Sequence, residues 1–430
     1  MKYLPIDNHL FTENRKRLKN LLPKGALAVF NANDIMPTNA DGTMPFKQNS
    51  DLFYFSGVDQ EETILVIFPE AANPAHREIL FVRETNEEIA IWEGEKLTKA
   101  RATEVSGVKT VFWTSQFEQI FHSLMQQAET VYLNKNEHAR ASSPVETRDD
   151  RFRKWCMEKY PLHEYHRVAP FSTALRAIKS PLEVELIQTA CNITEGGFRR
   201  VLEFVKPGVM EYEIEAEYLH EFIRNRSKGF AYEPIIASGF DSCVLHYVNN
   251  NKECLDGDIL LMDVGAEYAN YASDMTRCIP VNGKFTDRQR AVYNAVLRVM
   301  REAIQMLQPG TLHEEYHKEV GKIMESELIG LGLLDKHDVA KQDPKNPLYR
   351  KYFMHGTSHH LGLDVHDVED RNRPFEAGMV LTCEPGIYIR EENLGIRLEN
   401  DILITEDGPV DLMKNIPIEA EEIEELMNAN

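Results

Sequence analysis

The chain has 430 residues, long enough for two or three hydrophobic cores rather than one. Its 48 basic and 69 acidic residues leave a net charge of −21, which argues against nucleic acid and anionic membranes as partners. Six scattered cysteines (Cys156, Cys191, Cys243, Cys254, Cys278 and Cys383), none in a CxxC pair, read as reduced thiols in apolar segments.

The opening MKYLPIDNHLF lacks the basic and apolar regions of a secretory leader, and no uncharged apolar run reaches membrane-spanning length, so a cytoplasmic protein is expected. Up to about residue 170, short apolar runs (ALAVF, TILVIF, EILFV, TVFW, TVYL) alternate with polar connections. Helical pieces such as FEQIFHSLMQQ lie between, which predicts an α/β domain over residues 1–174. Ser180, Pro181 and Glu183 then form an N-cap, a first-turn proline and a capping-box acid ahead of apolar residues at helical spacing. A second domain, 175–430, starts there.

That domain carries a faded internal repeat. A helix ending at Pro207-Gly208 and a helical stretch EYEIEAEYLHEFIRNRSKG answer a helix ending at Pro309-Gly310 and HEEYHKEVGKIMESELIGLG. Each half then turns to strands, GDILLMDVG (257–265) and GMVLTCEPG (378–386), with His246 and His366 at similar distances upstream. Two αβ halves about a pseudo-two-fold axis, with facing strands, are expected.

The acid in each repeated strand has a partner. Asp263 and Asp274 are centred between Tyr268 and Ala269, so a symmetric hairpin sets them directly opposite, with Cβ atoms about 4.5–5.5 Å apart. Glu384 and Glu399 are likewise centred between Glu391 and Glu392. Buried in apolar strands, such pairs must hold a proton or share a cation. The stretch MHGTSHHLGLDVHD (354–367) supplies four histidines. Gly356, Thr357 and Ser358 make a poor helix, and extended backbone puts His355 and His359 on one face and His360, a packing residue, on the other. One or two of the four can then point at the carboxylates. Oxygen ligands with one imidazole suit Mn²⁺ first, with Co²⁺, Zn²⁺ or Fe²⁺ as alternatives. Four acids exceed the needs of one ion and point to two, sharing bridging carboxylates.

With MDVG…SDMTR, HGTSHHLGLDVHD, LTCEPGIY and GIRLEND in that order, the sequence resembles the metallopeptidase family containing aminopeptidase P and prolidase. FKQNSDLFYFSGVDQEETILVIF (46–68) is similar to the first domain of bacterial aminopeptidase P, so the resemblance spans nearly the whole chain. It implies a pita-bread catalytic domain with Asp263, Asp274, His359, Glu384 and Glu399 holding two divalent ions, Asp274 and Glu399 bridging them. It implies hydrolysis of the bond between an N-terminal residue and a following proline, with Glu384 moving the proton and His366 facing the oxyanion. By the same resemblance His246 and His366 line the substrate site, His355, Tyr388 and Arg397 surround it, and Asp41 and Trp92 contribute from the first domain. Trp92 would do so across a subunit interface in a homodimer or homotetramer; the alternative is an ordinary core aromatic.

After DVHDV the chain departs from its relatives: Glu369-Asp370-Arg371 follows at once, and the loop between Glu384 and Glu399 is short. Arg371 and Arg373 in the shortened loop raise a rival activity, a prolidase reading the carboxylate of Xaa-Pro dipeptides. A metal-free binding or chaperone protein of the same fold and an HD-type phosphohydrolase built on His366-Asp367 are the rivals of other classes. All five ligands being present argues against the first, and strand-like surroundings disfavour the second.

Overall fold

A computed structural model describes residues 2–138, 140, 141 and 143–429. The chain divides into two compact units, Tyr3–Arg176 and Ala177–Asn430. In the first, strands β1 (Ala26–Asn31), β2 (Ile64–Ile67), β3 (Glu78–Val82), β4 (Thr110–Trp113), β5 (Thr130–Leu133) and β6 (Glu164–Arg167) form a mixed sheet in the order β4-β3-β2-β1-β5-β6. The five apolar runs are its first five strands, while β6, a polar EYHR edge, gives no such signal. Helices α1 (His9–Leu21), α2 (Ser50–Ser56), α3 (Glu87–Glu93), α4 (Lys99–Ser106), α5 (Phe117–Met125), α6 (Arg148–Lys159) and α7 (Ala169–Ala177) complete this part of the chain. Phe117, Phe121 and Leu124 of α5 and Cys156 of α6 pack against Leu27, Val29, Val66, Phe81 and Val131 on one face of the sheet. That burial is the main stabilising term for the unit.

The second unit opens with α8 (Pro181–Phe204). The Ser180 side chain accepts the Glu183 amide, and Glu183 accepts the Ser180 amide at 2.9 Å, the capping box expected of that sequence. Then come α9 (Glu211–Arg224) and β7 (Ile235–Ser238), β8 (Ile259–Val264), β9 (Glu267–Tyr268), β10 (Tyr271–Ala272) and β11 (Met275–Pro280). The second half repeats the plan with α10 (Asp287–Met306), α11 (His313–Gly330) and a short α12 (Lys336–Val339). Strands β12 (Val380–Cys383), β13 (Gly386–Ile389), β14 (Leu394–Arg397), β15 (Asn400–Thr405) and β16 (Gly408–Asp411) follow, and α13 (Ala420–Met427) closes the chain. Each half supplies two long helices and a three-stranded antiparallel sheet, β11-β8-β7 and β12-β15-β16. The two sheets meet where Thr276 bridges to Glu399.

The first hairpin corrects the expected register. Asp263 pairs with Thr276 and Tyr268 with Tyr271, so the turn is centred on Ala269-Asn270, and Asp274 lies diagonal to Asp263 rather than directly opposite. Ala269 and Asn270 both have positive φ (53° and 68°), as a type I′ turn demands. Centring the turn one residue earlier would force bulky Tyr268 into that region, whereas asparagine tolerates it. The diagonal keeps both carboxylates on one face. In the second hairpin Cys383 pairs with Asn400 and Gly386 with Arg397, which puts Glu384 directly across from Glu399, as expected.

Candidate active site

The histidine stretch is extended and lies antiparallel to β12. Thr382 donates its amide to the His359 carbonyl at 2.9 Å, Leu361 to Val380 at 3.0 Å and Glu384 to Thr357 at 2.8 Å, and His360 bridges to Leu381. Alternation then turns His359 toward the carboxylates and His360 away. His360 is buried; burial, then nearby Lys179, push it down to about 3, so it stays neutral.

Asp274, His359 and Glu399 present ligand atoms within 4.8 Å of one another. His359 Nε2 lies 3.4 Å from Asp274 and 3.7 Å from Glu384. Its Nδ1 is 3.0 Å from the His360 carbonyl, so an Nδ1–H donor leaves the Nε2 lone pair facing the acids, the orientation of a metal-ligating imidazole. Asp263 joins through Tyr232, whose single hydroxyl proton serves both Asp263 Oδ1 at 2.7 Å and Asp274 Oδ1 at 2.5 Å.

The electrostatics show what this cluster lacks. Burial, then repulsion from Asp274, Glu384 and Asp263, push Glu399 well above the usual carboxylate range. Burial pushes Glu384 up to about 7, with Asp274 and Asp263 adding while His359 and Arg397 pull back. Asp263 is raised by burial against the pull of Arg397. Burial would lower His359, but hydrogen bonding to Asp274 and the charge of Glu384 lift it to about 9. Buried acids this close repel one another, and that repulsion is relieved by positive charge among them. Divalent cations among four oxygen donors and one imidazole would supply it, so the donor set fits the expected metal.

Arg397 organises the rim. Its Nη2 donates to Asp263 Oδ2 at 2.6 Å, its Nη1 to the Tyr388 hydroxyl at 2.8 Å, and its Nε to Thr276 Oγ1 at 3.1 Å. Thr276 donates to Glu399 Oε2 at 2.6 Å. The Tyr388 oxygen lies 2.8 Å from His355 Nε2, and His355 Nδ1 is 2.8 Å from the Gly356 carbonyl. Burial and Arg397 push His355 down to about 3, consistent with a neutral ring accepting from the tyrosine. The half-buried His366 ring lies tilted at 44° against His359, with centroids 4.0 Å apart.

His246 sits exposed on the loop after β7, close enough for its charge to act on His355. Arg371 is 64% exposed and bound to Glu369 at 2.8 Å. Asp41 and Trp92 belong to the other unit. Asp41 lies on an exposed loop, and Trp92 is 82% exposed beside Ile91 at 80%, so it is no core aromatic. Sequence reasoning misses Tyr232, Thr276 and Asp401, whose Oδ2 accepts the Asp274 amide at 3.0 Å. Thr276 was findable, two residues after Asp274 on the same strand face, and Asp401 likewise two after Glu399. Tyr232 was not, because it arrives on a separate loop, joined to this strand by non-local contacts such as Ala231 with Gly265 and Phe230 with Ala266.

Residues 185–406 match metallopeptidase family M24, and residues 11–132 match the aminopeptidase P N-terminal domain. The chain is 37% identical to the Xaa-Pro aminopeptidase of Escherichia coli K12, covering 99% of this chain and 98% of that one. It is 32% identical to human Xaa-Pro aminopeptidase 3, over 89% and 76% of the two. Among solved structures, a putative aminopeptidase P from Bacillus anthracis superposes with a TM-score of 0.91 at 33% identity, over 99% of both chains. Zinc-substituted E. coli aminopeptidase P in complex with product gives 0.88 at 35%, again over 99% of both. With an M24 match around this carboxylate and histidine cluster, and a likeness running end to end, the chain belongs to metallopeptidase family M24 and carries the aminopeptidase P N-terminal domain.

Proposed function

We propose that the protein is a metal-dependent Xaa-Pro aminopeptidase that hydrolyses the bond between an N-terminal residue and a following proline. The observation that carries this reading is the convergence of Asp263, Asp274, His359, Glu384 and Glu399 in a chain alike over its full length to the E. coli enzyme. In this reading Asp263, Asp274, His359, Glu384 and Glu399 would hold two divalent ions, Mn²⁺ preferred, with Asp274 and Glu399 each serving both. Bound there, such ions polarise a carbonyl and lower the pKa of water.

The chain's own groups do the rest. Glu384 takes the proton of the attacking water and delivers it to the leaving imide nitrogen. His366 donates to the oxyanion that forms on the scissile carbonyl. Arg397 fixes Asp263 and, through Tyr388, the ring of His355, so the metal ligands and the substrate wall are held by one guanidinium. His246 and Tyr388 border the substrate.

A strict dipeptidase needs a fixed cation for the carboxylate after proline. Arg371 is the nearest candidate in sequence, but its guanidinium is committed to Glu369 and largely solvated. Longer peptides are therefore expected as substrates. Ala-Pro-Ala should be cleaved at least as fast as Ala-Pro, and Arg371→Ala should lower kcat/KM on the tripeptide less than about tenfold. Cleavage of the dipeptide alone would make this a prolidase.

The exposed Ile91-Trp92 pair supports a homo-oligomer, dimer or tetramer, in which this apolar tip of α3 is covered. Light scattering should give a dimer or tetramer, and Trp92→Ser should shift it toward the monomer. A wild-type monomer that is active at nanomolar concentration would overturn this assembly. Six buried free thiols suit the reducing cytoplasm. Among the described residues no helix is long and apolar enough to cross a membrane.

A further inference from the structure

The loop between β7 and β8 carries His246 at its tip. Val244, His246, Val248 and Asn249 are exposed, but Tyr247, next to the histidine, is buried. Its hydroxyl donates to Glu211 Oε2 at 2.7 Å. Glu211, the first residue of α9, is 0% exposed, and four donors converge on its carboxylate. Ser238 supplies its amide at 2.9 Å and its hydroxyl at 2.7 Å to Oε1, from the start of the loop. Tyr247 and the Lys252 amide, at 3.0 Å, supply Oε2 from the tip and the end.

One carboxylate therefore ties Ser238 at the start of the loop to Tyr247 at its tip and to Lys252 beyond it, closing residues 239–251 into a segment of a length typical of compact surface loops whose ends meet. The Tyr247 hydroxyl also reaches Asn251 Oδ1, a longer contact at 3.4 Å, and the remaining ties hold the ends. Asn250 caps the Ile236 amide at 3.0 Å, Ser242 accepts the Gly395 amide at 2.8 Å, and Lys252 pairs with Asp241. The close approach at Ser242 leaves no room for a side chain at 395, since a Cβ there would lie 2.1 Å from the Ser242 carbonyl. Of these ties the Tyr247–Glu211 bond, at 2.7 Å, is the short one that joins the tip to a helix outside the loop. With Tyr247 turned inward and fixed, the neighbouring His246 is turned outward.

We propose that Glu211 is a positioning residue for the reaction: through Tyr247 it latches the His246 loop and sets where that histidine meets the substrate. The inference rests on the proposed role of His246 in the substrate site. A carboxylate can accept from all four donors, whereas a glutamine must turn its NH₂ toward one pair. Ser238 and Tyr247 hydroxyls can rotate to accept, but the Ser238 and Lys252 amides cannot. Glu211→Gln therefore leaves a buried amide unpaired on one side of the latch.

The test is a double-mutant cycle on the full-length, metal-loaded protein with an Xaa-Pro peptide. Glu211→Gln alone should lower kcat/KM about tenfold, within the range measured for coupled pairs, with metal content unchanged. In a His246→Ala background the same change should cost less than about twofold, because what it positions is gone. Equal losses in both backgrounds, or an inert His246→Ala beside an impaired Glu211→Gln, would overturn the proposal and leave Glu211 a structural residue. Should Glu211→Gln not fold, Tyr247→Phe removes the hydroxyl that holds the tip, leaves the Ser238 and Lys252 bonds to Glu211 in place, and completes the same cycle. Hydrogen exchange separates this inference from the functional reading: amides 244–249 should exchange at least about tenfold faster in either variant, with β8 unchanged, whatever the substrate is. Unaltered exchange there would show that no latch exists.

Discussion

Glu399→Gln or Asp274→Asn is expected to remove metal and activity together. Glu399 sits where the two sheets of the catalytic unit join, its amide on the Thr276 carbonyl at 3.1 Å and its Oε2 accepting from Thr276 Oγ1. Asp274 touches Tyr232 with one oxygen and His359 with the other. In the proposed two-ion reading each would serve both ions, so its loss would weaken both positions. A lost Lewis acid is worth several kcal/mol, and at about 1.36 kcal/mol per decade kcat/KM should fall on the order of 10³-fold. Elemental analysis should give clearly fewer than two ions per subunit. The fold should tolerate the change, because removing one of several mutually repelling buried acids relieves the metal-free cluster. Full activity with either amide variant would remove the two-ion reading. His360→Ala, at a neutral ring facing away from the cluster, should leave metal content intact.

The legibility of this site follows from backbone period. Strands announce themselves when one or both faces are buried, as ALAVF and ILLMDV do, and a two-residue period fixes which side chains share a face. That was enough to group Asp263 with Asp274, Glu384 with Glu399, and His355 with His359. It was not enough to place the first turn, because turn position depends on which residue tolerates positive φ, and there Asn270 prevailed over symmetry. Groups arriving from a separate loop, such as Tyr232, carry no spacing relation to the site at all. Helix α2 (SDLFYFS) is buried at six of its seven residues and so shows no amphipathic stripe. In α3 the stretch EEIAIWE has no buried residue, so an apolar pair that pattern alone could assign to a core instead faces solvent. Roles remain a further step: the His366 ring lies against His359 and Arg397 binds Asp263, but only chemistry measured on variants separates a ligand from a donor.

His366→Ala is the variant that makes that separation. The His366 ring lies against His359 yet belongs to a different segment, the turn between the histidine strand and β12, and that turn has its own anchor. Asp367, next in sequence, is buried against Lys179 at 3.1 Å, and its amide donates to the His360 carbonyl at 2.9 Å. The anchor does not depend on the His366 ring, so alanine there should leave the loop and the five ligands in place. Loss of one donor to a developing oxyanion costs roughly 10²–10³-fold in kcat, and His366→Ala should show that loss with metal content unchanged. His359→Ala removes the imidazole between Asp274 and Glu384, leaves their repulsion unopposed, and should lose metal instead. Paired metal analysis and kinetics on the two variants decide the assignment: a metal-replete His359→Ala beside a metal-depleted His366→Ala would mean that the ligand is His366, and that His359 is the residue facing the substrate.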